Sequence, residues 1–101
     1  MARVITGHPL NTEGPTVLHL RQGTHVVGVR ALQPHSATEM PVILYTLEPT
    51  NKTVMEERRF VCLRAGAAVE DSHQYIDTVV VLGGEDVYLV FEKRVAGSGN
   101  A

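Results

Sequence analysis

An all-β fold, a small sandwich or barrel of about seven mainly antiparallel strands, is what this sequence predicts, and three observations carry the prediction. Short apolar runs rich in β-branched and aromatic residues recur along the chain, separated by Gly, Pro and Asn turn signals. All five prolines (Pro9, Pro15, Pro34, Pro41, Pro49) stand in the first half, each at the edge of a candidate strand. The clearest stretch is Gln74–Arg94, where the runs Tyr75–Leu82 and Val87–Phe91 fold about Gly83-Gly84 as a hairpin.

Taken in order, Arg3–Thr6 reads as a short strand ended by Gly7-His8-Pro9, and Asn11–Pro15 as a polar turn. Thr16–Leu20 and His25–Leu32 read as a second hairpin joined by Arg21–Thr24, with Gly23 in a left-handed conformation. Gln33–Met40 is a loop, Pro41–Leu47 a strand and Glu48–Lys52 a loop. The segment Thr53–Gly66 supports two readings. Thr53-Val54-Met55-Glu56 fits a capping box and Gly66 a helix end, so a helix from Val54 to Ala65 is the alternative. Its apolar residues at 60–63 are consecutive, however, and would wrap round a helix instead of forming one stripe. The preferred reading is therefore a loop to Glu57 and a strand Arg58–Arg64. Residues 67–73 are a loop or a single helical turn. Residues 1–94 then form one β domain, and 95–101 a flexible Gly/Ser tail.

The expected core is Val27, Val29, Leu44, Val61, Leu63, Ile76, Val80, Val87 and Phe91. Val26–Val27 and Val79–Leu82 lack alternation, so both faces of those strands are apolar and a second face must be covered. This predicts a homo-oligomer, dimer first, that uses an edge strand and the face bearing Val79 and Val81.

A chain of 101 residues buries roughly 65% of its unfolded surface, enough for one modest core. A net charge of -2 and a pI near 6.2 supply no bulk field for nucleic acid or an anionic membrane, so neither is an expected partner. One cysteine, Cys62, allows no internal disulfide and suits a reducing compartment. The N-terminus lacks the apolar run of a signal peptide, and no stretch approaches the ~20 apolar residues of a membrane span. A cytoplasmic protein is the expectation.

No chemical motif stands out. His19 and His25 would face each other across the second hairpin, half a zinc site with no Cys, Asp or Glu at partner spacing, so no metal and no cofactor is expected. Cys62, between Val61 and Leu63, reads as a buried inert thiol. Glu56-Glu57, Glu70-Asp71 and Glu85-Asp86 are adjacent pairs that point to opposite faces of a strand, not acid/base dyads. The cationic cluster is Arg58, Arg59 and Arg64, with Arg30 and Lys52 as spatial neighbours. Arginine forks grip phosphate, and Tyr45, Tyr75 or Tyr88 could stack a base. The candidate ligand-binding residues are Arg58, Arg59, Arg64 and Tyr75; the competing reading pairs Arg58 and Arg59 with Glu56, Glu57 or strand neighbours.

Gly83-Gly84-Glu85-Asp86-Val87-Tyr88-Leu89-Val90-Phe91-Glu92 resembles the ending of a family of small uncharacterised proteins common in bacteriophage and prophage genomes. Tyr75-Ile76 with Thr78-Val79 is similar to that family's Tyr-Ile-Gly-Thr-Val, and Glu57-Arg58-Arg59-Phe60 to its Glu-Arg-x-Phe. Leu47-Glu48-Pro49 resembles its Val-Asp-Pro, and Gly23 stands where a glycine opens its third strand. Leu44 replaces a frequent Trp, and Arg64-Ala65-Gly66-Ala67 replaces a frequent Gly-Thr-Gly-His. The resemblance implies a phage or prophage origin and a small β-rich fold, and it implies nothing about catalysis. The expected function is a non-catalytic accessory protein acting as a homo-oligomeric interaction or structural module, with a host or virion protein as further partner. The alternative is an oligomeric binder of a nucleotide-like anion; an enzyme ranks third.

Overall fold

The structure, a computed structural model, describes residues 2–31, 42–51, 53–81 and 86–93. Seven strands follow one another: β1 (Arg3–Leu10), β2 (Thr16–Arg21), β3 (His25–Ala31), β4 (Val42–Pro49), β5 (Met55–Leu63), β6 (His73–Val81) and β7 (Asp86–Lys93). They form two antiparallel sheets, ordered β1-β4-β3 and β2-β5-β7-β6. Neither sheet closes on itself, so the architecture is a sandwich and not a barrel. Edge strands β3 and β6 lie against each other along one side.

The C-terminal hairpin is present, with β6 and β7 paired from His73↔Lys93 to Val81↔Asp86. Its Gly83-Gly84 turn, the Gln33–Met40 loop, Pro41 and the 95–101 tail lie outside the described residues. Strand β1 runs on through Gly7-His8-Pro9, where the sequence predicts a stop. It is the outer strand of its sheet, and an edge strand tolerates a proline that cannot donate. Strand β5 begins at Met55, so Met55–Glu57 belong to it and neither the leading loop nor the helix forms.

The second hairpin is replaced by an arch. Gly23 has the expected positive φ of 89°, and the Thr24 amide closes a tight turn onto the Arg21 carbonyl at 3.1 Å. The strands it joins do not pair, however: β2 pairs with β5 and β3 with β4, in different sheets. Thr24 turns inwards, its hydroxyl bonded to the Arg21 carbonyl at 2.6 Å and its own carbonyl taken by Arg58 Nη1 at 2.8 Å. A turn motif sets the local reversal but not which strand each arm meets.

The core lies between the sheets. Leu10, Leu20, Val42, Leu44, Phe60 and Val90 are fully buried there, with Val29, Cys62, Val79 and Tyr88 nearly so. Of the expected core, Val29 and Leu44 belong to it, and Ile76 packs against it. Val27, Val80 and Val87 are exposed, and Val61, Leu63 and Phe91 are only half-buried. Two bulges account for part of this. Val26 and Val27 together oppose Thr46, and Tyr75 and Ile76 together oppose Phe91. Each extra residue shifts the strand's alternation by one, which exchanges its inner and outer sets. In β5 and β7 the apolar residues are continuous, and pairing alone decides that Phe60, Cys62, Tyr88 and Val90 face inwards.

Phe60→Ala should therefore lower unfolding stability by about 3–5 kcal/mol, and Val80→Ala by no more than about 0.5. Urea denaturation of the two variants measures both, and equal losses would show the faces to be wrongly assigned.

Candidate functional site

Adjacent residues of a strand point to opposite faces, so the pairing of β5 separates Arg58 from Arg59. Arg58 shares the inner face with Phe60, its guanidinium carbon 5.7 Å from the ring centroid. Its Nε and Nη2 each donate to a carboxylate oxygen of Glu92 at 2.7 Å, and its Nη1 holds the Thr24 carbonyl. Such a two-pronged pair is strong and directional. The hydrogen bond to Glu92 is the main reason that the Arg58 pKa is raised. This arginine fastens β5, β7 and the β2–β3 arch.

Arg59 lies on the outer face and pairs with Glu57 at 3.0 Å. Arg64 follows β5, contacting Asp86 at 3.0 Å and the Tyr88 hydroxyl at 2.7 Å, with its charge over the Tyr88 ring. The Tyr88 hydrogen bond is the chief cause of its raised pKa. Tyr75 is exposed on the outer face, its hydroxyl 2.6 Å from Thr78 Oγ1 and its ring edge-on to Phe91. The four candidate residues thus divide among the interior, the outer face and the end of β5. Arg30 and Tyr45, their expected neighbours, belong to the other sheet. His19 stands opposite Glu57 and His25 opposite Leu47, so the two histidines that should face each other are in different sheets.

What the pairing does bring together is an apolar outer face. Val61, Leu63, Leu89, Phe91 and Val80 alternate with the core residues of β5, β7 and β6, and therefore point away from the other sheet. Val87 and Tyr75 extend the patch, while His73 and Tyr75 both pack edge-on to Phe91. A polar border crosses one end, where Arg59 stands opposite Lys93 and each cation has its own carboxylate, Glu57 and Glu70. Val79 and Val81, expected on an exposed face, lie instead on the inner side; Val79 is buried and Val81 packs against the core. The uninterrupted apolar runs of β5 and β7 carried the signal for a two-sided greasy sheet, but not which residue faced which way.

The family model described as "Domain of unknown function (DUF7352)" matches residues 1–100. The chain belongs to that family. No curated protein and no solved structure matches it. The DUF7352 domain places the Glu57–Phe60 and Val87–Glu92 segments side by side, since Phe60 pairs with Glu92. Two segments distant in sequence meet there through the Arg58–Glu92 pair. Among the described residues, no helix is long and apolar enough to cross a membrane.

Cys62 is buried beside Val90, and burial pushes its thiol from 9.0 up to about 11. An unfolded chain would ionise this thiol near 9 while the folded one keeps its proton, so the unfolded state holds fewer protons between those values. Stability should fall as pH rises from about 9 to about 11, and Cys62→Ala should flatten that part of the profile relative to wild type, as followed by thermal melts. Arg58→Ala, which leaves Glu92 half-buried without its cation, should cost about 2–4 kcal/mol, whereas Arg59→Ala should cost less than about 0.5. Denaturant titration separates the two.

Proposed function

We propose that the chain is a non-catalytic accessory protein of a phage or prophage, working in the bacterial cytoplasm as a homo-oligomeric interaction module. One observation carries the self-association: the outer face of the four-stranded sheet is apolar across three neighbouring strands. A sheet face left to solvent ordinarily alternates apolar-in with polar-out, and this one has apolar residues on both sides. Strands about 4.8 Å apart, three of them eight or nine residues long and β2 six, offer a face of roughly 500 Å². Two copies face to face would cover about 1,000 Å², the lower bound for a specific interface. The paired charges of Arg59, Glu57, Lys93 and Glu70 form a polar rim of the kind such interfaces carry.

The non-catalytic reading is supported by the one cysteine being buried and protonated over the physiological range. The phage or prophage setting, with a host or virion protein as further partner, draws its support from the ordered motifs along Val17–Glu92. A nucleotide-like anion gripped by Arg58, Arg59, Arg64 and Tyr75 has weaker support, because each of these side chains already has a partner within the chain.

Light scattering should return a mass that is a multiple of 11.0 kDa, first a dimer. Val80→Asp, at a position 55% exposed in the single chain, should shift the protein to monomer without loss of fold. A mass of 11.0 kDa for the wild type over a wide concentration range would overturn the reading.

A further inference from the structure

An open depression of about 470 Å³ lies beside β3, away from the apolar face of the other sheet. Its floor is Gly28, where the space a Cβ would occupy is empty. Tyr45 stands between Gly7 and Gly28 in the pairing of β1, β4 and β3. Its ring leans towards Gly7, since a Cβ there would come within 3.2 Å of Tyr45 Cε1. The Gly28 side is thereby left clear. Ile5 and Val27, both well exposed, supply apolar walls; Val27 is thrown outwards by the β3 bulge.

Two charged side chains complete the lining. Arg30 is exposed and has no ion-pair or hydrogen-bond partner among the described residues. Asp77 comes from β6, just past the bulge at Ile76, and one of its oxygens accepts the Thr78 amide at 2.8 Å. The two line one cavity without forming an ion pair with each other. Among charges elsewhere, Arg58, Arg59, Arg64 and Lys93 each hold a carboxylate.

We propose that this depression binds a small zwitterion with an apolar body, of the amino-acid type. The charge count selects the class. One guanidinium fork matches one carboxylate, and one carboxylate matches one ammonium group. A nucleotide would bring two or more negative charges to a single arginine and leave Asp77 in repulsion. The apolar body lies over Gly28 between Ile5, Val27 and the Tyr45 ring, and the volume falls within the range of small-molecule sites. The same chemistry occurs in a free amino acid and in a short peptide with both ends charged.

The test is an NMR titration of the ¹⁵N-labelled Val80→Asp protein, so that the result does not depend on self-association. The probes are L-phenylalanine, the dipeptide Phe-Gly, 3-phenylpropionate, phenethylamine and inorganic phosphate. Phenylalanine or the dipeptide should saturate shifts at residues 27–30, 45 and 77, and whichever binds tighter identifies the source. The two half-ligands should bind at least about tenfold more weakly. Arg30→Gln and Asp77→Asn should each weaken binding by at least about tenfold. Gly28→Val, which fills the floor, should abolish it with the rest of the spectrum retained. Failure of both zwitterions to saturate, binding of phosphate or 3-phenylpropionate as tight as that of phenylalanine, or an unaffected Arg30→Gln would overturn the proposal.

Discussion

The Arg58 guanidinium is the tie on which the sandwich depends. It reaches inwards from β5, takes both oxygens of Glu92 on β7, and holds the Thr24 carbonyl at the arch between β2 and β3. A half-buried charge is costly unless it is paired and hydrogen-bonded, and here its partners come from two other parts of the chain, β7 and the arch. Phe60, fully buried beneath it, anchors the same end of the core. The pair therefore makes correct register between β5 and β7 a condition of satisfying the charge. It also holds the arch in the position from which β3 enters the second sheet.

That register has consequences on both sides of the four-stranded sheet. Fixing Phe60, Cys62, Tyr88 and Val90 inwards necessarily turns Val61, Leu63, Leu89 and Phe91 outwards. The outer residues are as apolar as the inner ones, so the chain makes one face into a core and leaves its equal on the surface. An inner polar cluster in the other sheet contrasts with this. His8 Nε2 lies 3.0 Å from Thr46 Oγ1 and 3.6 Å from a Glu48 oxygen, so the polar groups on the inner side of β1 and β4 satisfy one another. The outer apolar residues of the four-stranded sheet find no such partner among the described residues, and the proposed self-association rests on that.

The two bulges shape the remaining surface. The bulge at Val26–Val27 expels Val27 and brings Gly28 into line with Tyr45; that at Tyr75–Ile76 moves Asp77 into the inner phase of β6. Both occur on edge strands, β3 and β6, which lie against each other along one side of the sandwich and where an extra residue disturbs only one pairing partner. Tyr45, with a glycine opposite it on either side, can then lie flat over one neighbour and leave the other bare.

By itself the sequence determined that the chain is a two-sided apolar β protein. β-Branched runs, turn residues and proline positions are local properties, and they located all seven strands, the C-terminal hairpin and the left-handed turn at Gly23. It also determined that Cys62 would be buried. Only the tertiary structure decided which strands pair, which way each residue faces and which arginines meet a carboxylate. A run such as Phe60–Leu63 carries no alternation from which to read its phase, and a one-residue bulge exchanges faces without changing composition. Arg58 and Arg59 look equivalent side by side in the sequence. One became an internal tie and the other a rim charge because Glu92, thirty-four positions away from Arg58, is delivered only by folding.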